Sequence, residues 1–320
     1  MIPHPCPTPR VPDVPFGVSD LAGLPAEAAC AALRARRGEI LDAVEAHGAV
    51  RIGRTDVRSA EGLEAALGAI GLDPVPYTEG QSPRDRVRGH IYTSTRYPAS
   101  ERVPMHHELS YRAAPPDLLV LLCVCPPRSG GQTPLLDGQA FLGRMPAALR
   151  VCFEARGVCY RKTMHGGFGF GRSWQQHFEI DDRDAVERFL VEEGADWTWL
   201  PDGALRVTQT RPAISTHPRT GARVWHNQAT LWHPTHLGDR GAKLRHLLGD
   251  RVPTDVCWED GSAIDDALIA AVRAAEYAHA TRFDWEAGDL LLVDNHRVAH
   301  GREPFLGDRL VLVAMGGWPT

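Results

Sequence analysis

The sequence contains no apolar run that approaches the roughly 18 residues needed by a membrane-spanning helix. Its first residues, MIPHPCPTPRVPDVPFG, are rich in proline and lack the apolar segment that marks a secretory signal. We therefore expect no membrane association, and we interpret the N-terminus as an irregular arm.

Neither sign of charge is in marked excess. The 35 Lys and Arg residues nearly balance the 40 Asp and Glu residues, and the formal net charge is −5. A surface that binds nucleic acid or an anionic membrane is usually basic, so neither partner is expected. The hydrophobic content of 43%, in a chain of 320 residues, is enough to bury a large core.

Cysteine pairs with metal-ligand or redox spacing are absent. The seven cysteines are an odd number, and no two have the CxxC spacing. Cys123 and Cys125 lie in the apolar run LLVLLCVC, where residues two apart on a strand face the same way. We interpret them as core thiols rather than metal ligands. Unpaired thiols suit a reducing compartment, so the predicted location is the cytoplasm.

Internal repeats and low-complexity linkers are also absent, which predicts a single domain over residues 1–320. Residues 1–84 are expected to form the arm and a helical part. One helix is predicted between Pro25 and Gly48, and a second over Ser59 to Ile70, because each has apolar residues on one helical face.

Residues 85–320 have a different character, with short β-rich runs broken by Pro, Gly and Asp. Two helical insertions are expected within them, near residues 184–193 and over residues 262–278, the second with Ser262 and Asp265 as a capping box. This order predicts a mainly β fold with peripheral helices and a jelly-roll core. A doubly wound sheet would need regular alternation of strand and helix. The predicted strands are RGHIYTSTRY, LLVLLCVC, RVWHNQATLW, TRFDW, DLLLVDN and RLVLVAMGGW.

The stretch VPMHHELSYR contains a candidate metal-binding pair. His106 and Glu108 are two residues apart, so on a strand both side chains lie on the same face and His107 points away. An imidazole nitrogen and a carboxylate oxygen could then bind one metal ion. One HxE tripeptide is expected by chance in a chain of this composition, so a polar strand end is an equal interpretation of the pair alone.

A second candidate lies in DNHRVAHGREPFLGDR, after the apolar strand LLLV. His300 is predicted where that strand ends, and Arg309 where the next begins. A jelly roll brings distant strands together, so His300 could complete a face of two histidines and one carboxylate, which is typical of non-haem Fe(II) oxygenases. Arg309 could bind a small dicarboxylate. His296 is a rival for His300 on spacing.

Four motifs resemble the taurine dioxygenase (TauD/TfdA) superfamily of Fe(II)/2-oxoglutarate oxygenases. The motifs are MHHELSY, PPRSGGQTPLLDG, HPRTGARVWHNQ and DNHRVAHGREPFLGDR, and the resemblance covers Gly89 to Trp318. Within the superfamily, the sequence is most similar to the branch of syringomycin-type aspartyl hydroxylases. The resemblance implies a double-stranded β-helix core, which is the cupin-like jelly roll.

The resemblance also implies roles for particular residues. His106, Glu108 and His300 match the family's iron ligands, and Arg309 and Thr133 match the residues that hold the far carboxylate of 2-oxoglutarate. The implied cofactors are Fe(II), 2-oxoglutarate as cosubstrate and O2. His107 stands where relatives often carry Asn, and we expect it either to contact substrate from the rim or to be exposed. Related halogenases lack the carboxylate, so Glu108 favours oxygen insertion or desaturation.

The predicted function is hydroxylation of an amino acid in secondary metabolism, with release of succinate and CO2. The amino acid is either free or carried as a thioester, and a peptidyl carrier protein would then be a partner. One alternative is a catabolic dioxygenase for a small anion such as a sulfonate. Another is a non-oxidative cupin-like metalloprotein, against which Arg309 and Thr133 argue, because such a protein needs no dicarboxylate site.

Overall fold

The structure is a computed structural model that describes residues 16–77, 80 and 84–319. The predicted N-terminal arm falls almost entirely before residue 16, outside the described residues. The strands are β1 (Phe16–Val18), β2 (Ala49–Ile52), β3 (Arg86–Arg88), β4 (Ile91–Thr93), β5 (Val103–His106), β6 (Leu118–Cys125), β7 (Ser129–Gly130), β8 (Leu135–Asp137), β9 (Val158–Met164), β10 (Asp196–Trp199), β11 (Leu205–Arg211), β12 (Ile214–Thr216), β13 (Arg223–Trp225), β14 (Thr254–Trp258), β15 (Leu290–Asp294), β16 (Val298–Arg302), β17 (Phe305–Leu306) and β18 (Leu310–Gly316).

Helices precede, interrupt and flank these strands. They are α1 (Ala26–Ala35), α2 (Arg37–His47), α3 (Ala60–Ile70), α4 (Gly138–Arg144), α5 (Ala147–Ala155), α6 (Trp174–Phe178), α7 (Arg183–Glu192), α8 (Ala229–Trp232), α9 (Asp239–Leu248) and α10 (Asp266–His279), with short 3₁₀ helices at Pro234–Leu237 and Gly249–Arg251.

The largest sheet has seven strands in the order β1-β2-β15-β6-β18-β4-β3. β1 pairs parallel with β2, and β2 pairs antiparallel with β15. The N-terminal part therefore contributes two strands to the main sheet, which crosses the predicted boundary at residue 84. Three further strands, in the order β5-β16-β8, form the sheet that carries the candidate ligands.

Both faces of the central strand β6 are buried, as its uninterrupted apolar sequence predicts. Leu118, Val120 and Leu122 pack in the cluster beneath the N-terminal helices. Leu119 and Leu121 point to the other face, into the core shared with β5, β8 and β16. Full burial of each such side chain contributes about 1.5–3 kcal/mol to folding. This strand therefore joins the helical layer to the layer that holds the site.

The helices α1, α2 and α3 cover the outer face of the main sheet. Leu33, Ile40 and Val44 are buried as predicted, and Gly48 ends α2 in the left-handed conformation with φ 79°. The single helix predicted here is two helices, because Arg36 leaves the helical conformation (φ −107°, ψ 15°). The interruption is one residue long, so the apolar face continues across it.

Three sequence predictions for local structure are wrong. Residues 223–232 form a strand only over β13, after which α8 packs against β5 and α10, so tertiary packing overrides the β propensity. Residues 281–285 form no strand among the described residues, apart from one isolated bridge at Thr281. Asp265 caps α10 by accepting two backbone N–H groups, without Ser262.

The prediction of a mainly β fold is met only in part. Helices make up 33% of the structure and strands 28%, so the fold is mixed. The predicted insertion near residues 184–193 is confirmed as α7. Within the described part of the chain, no helix is both long enough and apolar enough to cross a membrane.

Substitution of Gly288 by Ala should destabilise the fold. Gly288 has φ +84°, and an added Cβ would lie 1.7 Å from the carbonyl oxygen of Thr55. We expect Gly288→Ala to lower the free energy of unfolding by about 2–4 kcal/mol, measured by urea denaturation. Gly143→Ala is the control, because no atom lies within 4 Å of its added Cβ, and in α4 it should raise stability by about 0.5–1 kcal/mol. Equal effects of the two changes would contradict this account.

Candidate active site

Two of the predicted ligands meet through strand pairing. β16 lies between β5 and β8 and pairs antiparallel with both, and its His300 stands directly opposite His106. Residues opposite each other on antiparallel strands have adjacent side chains, and the two imidazole rings lie 4.4 Å apart. His300 is in the middle of β16 and not at a strand end as predicted. The ladder between two segments almost two hundred residues apart therefore fixes this pair.

Glu108 reaches the two histidines from a turn rather than from the strand. β5 ends at His106, and Leu109 has the positive φ of 54° that reverses the chain. The Oε2 atom of Glu108 lies 4.0 Å from Nε2 of His106 and 3.9 Å from Nε2 of His300. The expected convergence of His106 and Glu108 is present, but the turn produces it rather than strand alternation.

Asn295 holds the backbone of Glu108. Its Oδ1 accepts a hydrogen bond from the Glu108 N–H at 2.7 Å, and its Nδ2 donates to the Glu108 carbonyl at 2.9 Å. Nδ2 also donates to the Pro116 carbonyl at 2.8 Å, and Asn295 is fully buried. This role of Asn295 was not predicted from the sequence, although its place after the apolar strand LLLVD is a signal for it.

The histidines have the protonation that metal binding requires. Nδ1 of His106 lies 2.9 Å from the Pro104 carbonyl, which can only accept, so Nδ1 carries the proton and Nε2 keeps its lone pair. Burial lowers the pKa of His106, and it lowers the pKa of His300 well below its usual value. Both rings are therefore neutral at pH 7. Nδ1 of His300 is buried without a partner among the described residues.

The donor atoms of His106, Glu108 and His300 fit one divalent metal ion. One atom from each lies within 4.8 Å of the other two, and all three residues are buried. Two imidazole nitrogens and one carboxylate oxygen on one side of an ion leave its remaining positions open for other ligands. The geometry therefore suits a metal ion that binds small molecules directly.

The two other histidines near this cluster have different partners. Nε2 of His296 pairs with Oδ1 of Asp117 at 2.8 Å, outside the metal-binding group. His107 is fully buried, and its ring lies 4.7 Å from the ring of His226. The expectation that His107 lies at the rim or is exposed is therefore wrong, because the turn that brings Glu108 to the metal cluster sends His107 into the core.

A cavity is lined both by the cluster and by Arg309 and Thr133, with about 500 Å³ of atom-free space that includes open solvent. Nε of Arg309 donates to the Gly131 carbonyl at 3.2 Å, and Nη1 donates to Oγ of Ser94 at 3.3 Å. Burial, together with the charge of Arg302, lowers the pKa of Arg309 to about 10. The guanidinium is still positive at pH 7, so this end of the cavity suits an anion.

Thr133 and Gly131 shape the same end of the cavity. Thr133 is buried, and its Oγ1 accepts a hydrogen bond from Nε1 of Trp285 at 3.0 Å, so the hydroxyl proton is free for a ligand. Gly131 has φ +70°, and a Cβ there would lie 2.7 Å from Pro127 and 3.2 Å from Cδ of Arg309. The Gly-Gly sequence before Thr133 therefore leaves the room that the arginine occupies.

The fold and the site define a class of protein, a mononuclear metal enzyme with open coordination positions and an anion-binding pocket beside them. The sequence matches the family described as Taurine catabolism dioxygenase TauD, TfdA family, over residues 8–315. The chain belongs to this family of dioxygenases, as the four motifs predict. Membership of this family of dioxygenases excludes the alternative function of a non-oxidative cupin-like metalloprotein.

Two individual proteins have sequences similar to that of this chain. The chain is 32% identical over 248 residues to the dapdiamide synthesis protein DdaC of Enterobacter agglomerans, which covers 77% of this chain and 75% of that protein. It is 27% identical over 281 residues to a clavaminate synthase-like protein of Arabidopsis thaliana, with 84% and 81% covered.

Two solved structures have the same overall fold. The PvcB protein of Pseudomonas aeruginosa superimposes with a TM-score of 0.53 at 15% identity, over 94% of this chain and 86% of that one. AAD-2, solved in complex with Mn(II) and N-oxalylglycine, superimposes with a TM-score of 0.54 at 14% identity, over 96% and 95%. At these identities the likeness supports the fold alone.

Removal of the Asn295 side chain should weaken metal binding as well as the fold. Asn295→Ala leaves the buried N–H and carbonyl of Glu108 unpaired, so we expect a loss of about 2–4 kcal/mol in the free energy of unfolding. It should also weaken metal binding by about 10- to 100-fold, measured by anaerobic Fe(II) titration of the folded protein.

Asn227→Ala is the matched control for this change. Asn227 is another buried asparagine with two backbone hydrogen bonds, to Ala213 and Ala229. We expect a comparable loss of stability from Asn227→Ala with unchanged metal affinity. Equal metal affinities of the two variants would show that Asn295 does not position Glu108.

Proposed function

We propose that this protein is a non-haem Fe(II)/2-oxoglutarate-dependent oxygenase whose iron ligands are His106, Glu108 and His300. The observation that carries the proposal is one cavity lined by this cluster together with a half-buried arginine, Arg309, and a buried threonine, Thr133. The solved structure of PvcB, described as an Fe, alpha-ketoglutarate dependent oxygenase, has the same overall fold and supports the choice of cofactors.

Arg309 and Thr133 bind the carboxylate of 2-oxoglutarate that lies away from the metal. A guanidinium and a hydroxyl donate charge-assisted hydrogen bonds to a carboxylate, and burial strengthens them by excluding water. Gly131 and Ser94 hold the arginine in place through its Nε and Nη1 atoms. When bound, iron and 2-oxoglutarate together supply the activation of O2 that yields succinate, CO2 and an oxidised substrate.

The chain forms one domain over residues 1–320 with a double-stranded β-helix core. The support is the pairing of β5, β16 and β8 into a small sheet that shares its core with the seven-stranded sheet. In such a core, the protein contributes orientation of the reactants and exclusion of water. The main sheet lies between this core and the N-terminal helices, and both of its faces are packed.

The substrate is an amino acid or aminoacyl group in secondary metabolism. The relative with 32% identity is a dapdiamide synthesis protein, and the structural neighbour PvcB comes from an isonitrile synthetic pathway, which supports a biosynthetic role. A peptidyl carrier protein is a partner if the group arrives as a thioester. The free thiols of the six cysteines among the described residues support a cytoplasmic location.

Catabolism of a small anion such as a sulfonate is the second candidate function, because the family description itself names taurine catabolism. The two functions differ in the oxidised product. Incubation of the iron enzyme with 2-oxoglutarate and either amino acids, aminoacyl thioesters or taurine, followed by mass spectrometry, distinguishes them. Oxygen gain in the amino acid pool supports the biosynthetic role, and sulfite release from taurine supports the catabolic one.

Replacement of His300, but not of His296, should abolish the iron site. We expect His300→Ala to weaken Fe(II) binding by at least about 100-fold and to remove the visible charge-transfer band that anaerobic Fe(II) and 2-oxoglutarate give in the wild type. His296→Ala is the matched control and should retain the band. The ligand assignment is wrong if His296→Ala loses the band and His300→Ala keeps it, and the oxygenase proposal is wrong if the wild type gives none.

Replacement of Arg309 should weaken binding of 2-oxoglutarate while the metal still binds. We expect Arg309→Met to raise the Kd of 2-oxoglutarate by about 10- to 100-fold, because one charge-assisted interaction is lost. Thr133→Val should have a smaller effect of the same kind. The control is Arg128→Met, since Arg128 is an exposed arginine near the same loop. Unchanged 2-oxoglutarate affinity in Arg309→Met would remove Arg309 from the cosubstrate site.

A further inference from the structure

A third arginine, Arg84, lies in the active-site cavity beside the metal cluster. Its side chain is only 7% exposed, and Nη2 donates to Oε2 of Glu108 at 2.5 Å. The guanidinium stacks over the ring of Tyr77, with 4.3 Å between its carbon and the ring centre. The segment just before β3 therefore places a fixed positive charge next to the atoms that would react, on a residue that no sequence motif contains.

The hydrogen bonds of Arg84 are incomplete. Nε and Nη1 are buried and have no acceptor among the described residues. A buried donor without an acceptor is costly, and an arginine cannot reduce that cost by losing its proton. The contact with Glu108 satisfies Nη2 alone. A role limited to positioning Glu108 therefore does not account for the other two donors, which lack an acceptor group inside the cavity.

The charges that line the cavity also lack a balancing anion. Three arginines, Arg84, Arg302 and Arg309, line it together with one carboxylate, that of Glu108. The two positive charges of the metal ion and the two negative charges of 2-oxoglutarate cancel, so a positive excess remains after both have bound. Arg302 is directed at backbone carbonyl oxygens, which it contacts through Nη1 and Nη2. Among the described residues, Arg302 leaves only Nε without a partner, whereas Arg84 leaves both Nε and Nη1, so Arg84 has more open donors than Arg302.

We propose that Arg84 binds a carboxylate of the substrate, so that the enzyme oxidises molecules that carry a free carboxylate near the reacting carbon. This inference rests on the proposed function and names the substrate class of the same site. A carboxylate would complete the hydrogen bonds of Arg84 and reduce the positive excess. No lining residue within the described part of the chain, other than Glu108, offers a carboxylate to an ammonium group. Recognition therefore depends on the acid end of the substrate.

Two sources could supply this carboxylate. A free amino acid offers its α-carboxylate, which is absent from a carrier-bound thioester. A carrier-bound aspartyl group offers its side-chain carboxylate instead. In either case, conversion of the carboxylate to a carboxamide removes the charge and leaves the shape almost unchanged. Acid and amide pairs therefore isolate the interaction with Arg84.

The experiment uses the anaerobic complex of the full chain with Fe(II) and 2-oxoglutarate. Each of the twenty proteinogenic L-amino acids and its α-amide is titrated against the charge-transfer band. Aspartyl and asparaginyl thioesters of N-acetylcysteamine are titrated in the same way, to represent the carrier-bound form. We expect at least one acid to perturb the band with a Kd about 10- to 100-fold lower than that of its amide. The series of compounds that shows the preference, amino acids or thioesters, identifies the source of the carboxylate.

Variants assign that preference to Arg84. Arg84→Met should abolish the preference for acid over amide, and Arg84→Gln is a second uncharged variant should Arg84→Met fail to fold. Arg84→Lys keeps the charge and should retain part of the preference. Arg86→Met is the matched control, because Arg86 is an exposed arginine two residues away that does not line the cavity. Its preference should equal that of the wild type.

The proposal is overturned if no acid in the wild type is preferred over its amide, or if the preference persists without the arginine. It is also overturned if the uncharged variants lose the band itself, since Arg84 would then be a positioning residue for Glu108. Absence of the band from the wild type is a different result. It would overturn the proposed function, and this inference with it.

Discussion

The site depends on the antiparallel pairing of β16 with β5. This ladder sets His300 opposite His106, and the residues just outside each strand then add the remaining groups. Asn295, between β15 and β16, holds the backbone of Glu108 in the turn after β5. A change of register by one residue would turn one of the two histidines to the other face of the sheet. The hydrogen bonds between these strands are therefore as necessary for the metal site as the ligand residues themselves.

The cavity beside the cluster is lined by positive charges that are only partly accessible to water. Arg84 and Arg309 both line this cavity, one in contact with Glu108 and the other with Gly131 and Ser94. Burying an arginine is costly unless its donors find acceptors. The fold meets this cost partly with backbone carbonyls and leaves the rest to ligands, so the same charges that destabilise the empty cavity favour anions in it.

Much of the architecture could be predicted because it follows local rules. The apolar periodicity predicted the buried faces of α1 to α3, and the continuous apolar run LLVLLCVC predicted a strand buried on both faces. Family motifs predicted the family itself. The errors arose where packing between distant segments overrides local preference. Residues 229–232, for example, form a helix that packs against β5. The interruption at Arg36 of the helix predicted over Pro25 to Gly48 is instead a local change of backbone conformation.

The sequence by itself determined which residues offer the required chemistry, namely the HxE pair, a distal histidine and an arginine near a Gly-Gly-x-Thr motif. The family motifs already favoured His300 over His296 as a ligand, but only the tertiary structure decided that His296 pairs with Asp117 and that His107 is buried. It also showed contacts with Glu108 for Asn295, which lies in the same motif as His300, and for Arg84, which lies in no motif. The physical reason is that strand register and a turn of positive φ bring these atoms together, and both depend on hydrogen bonds between segments far apart in the chain.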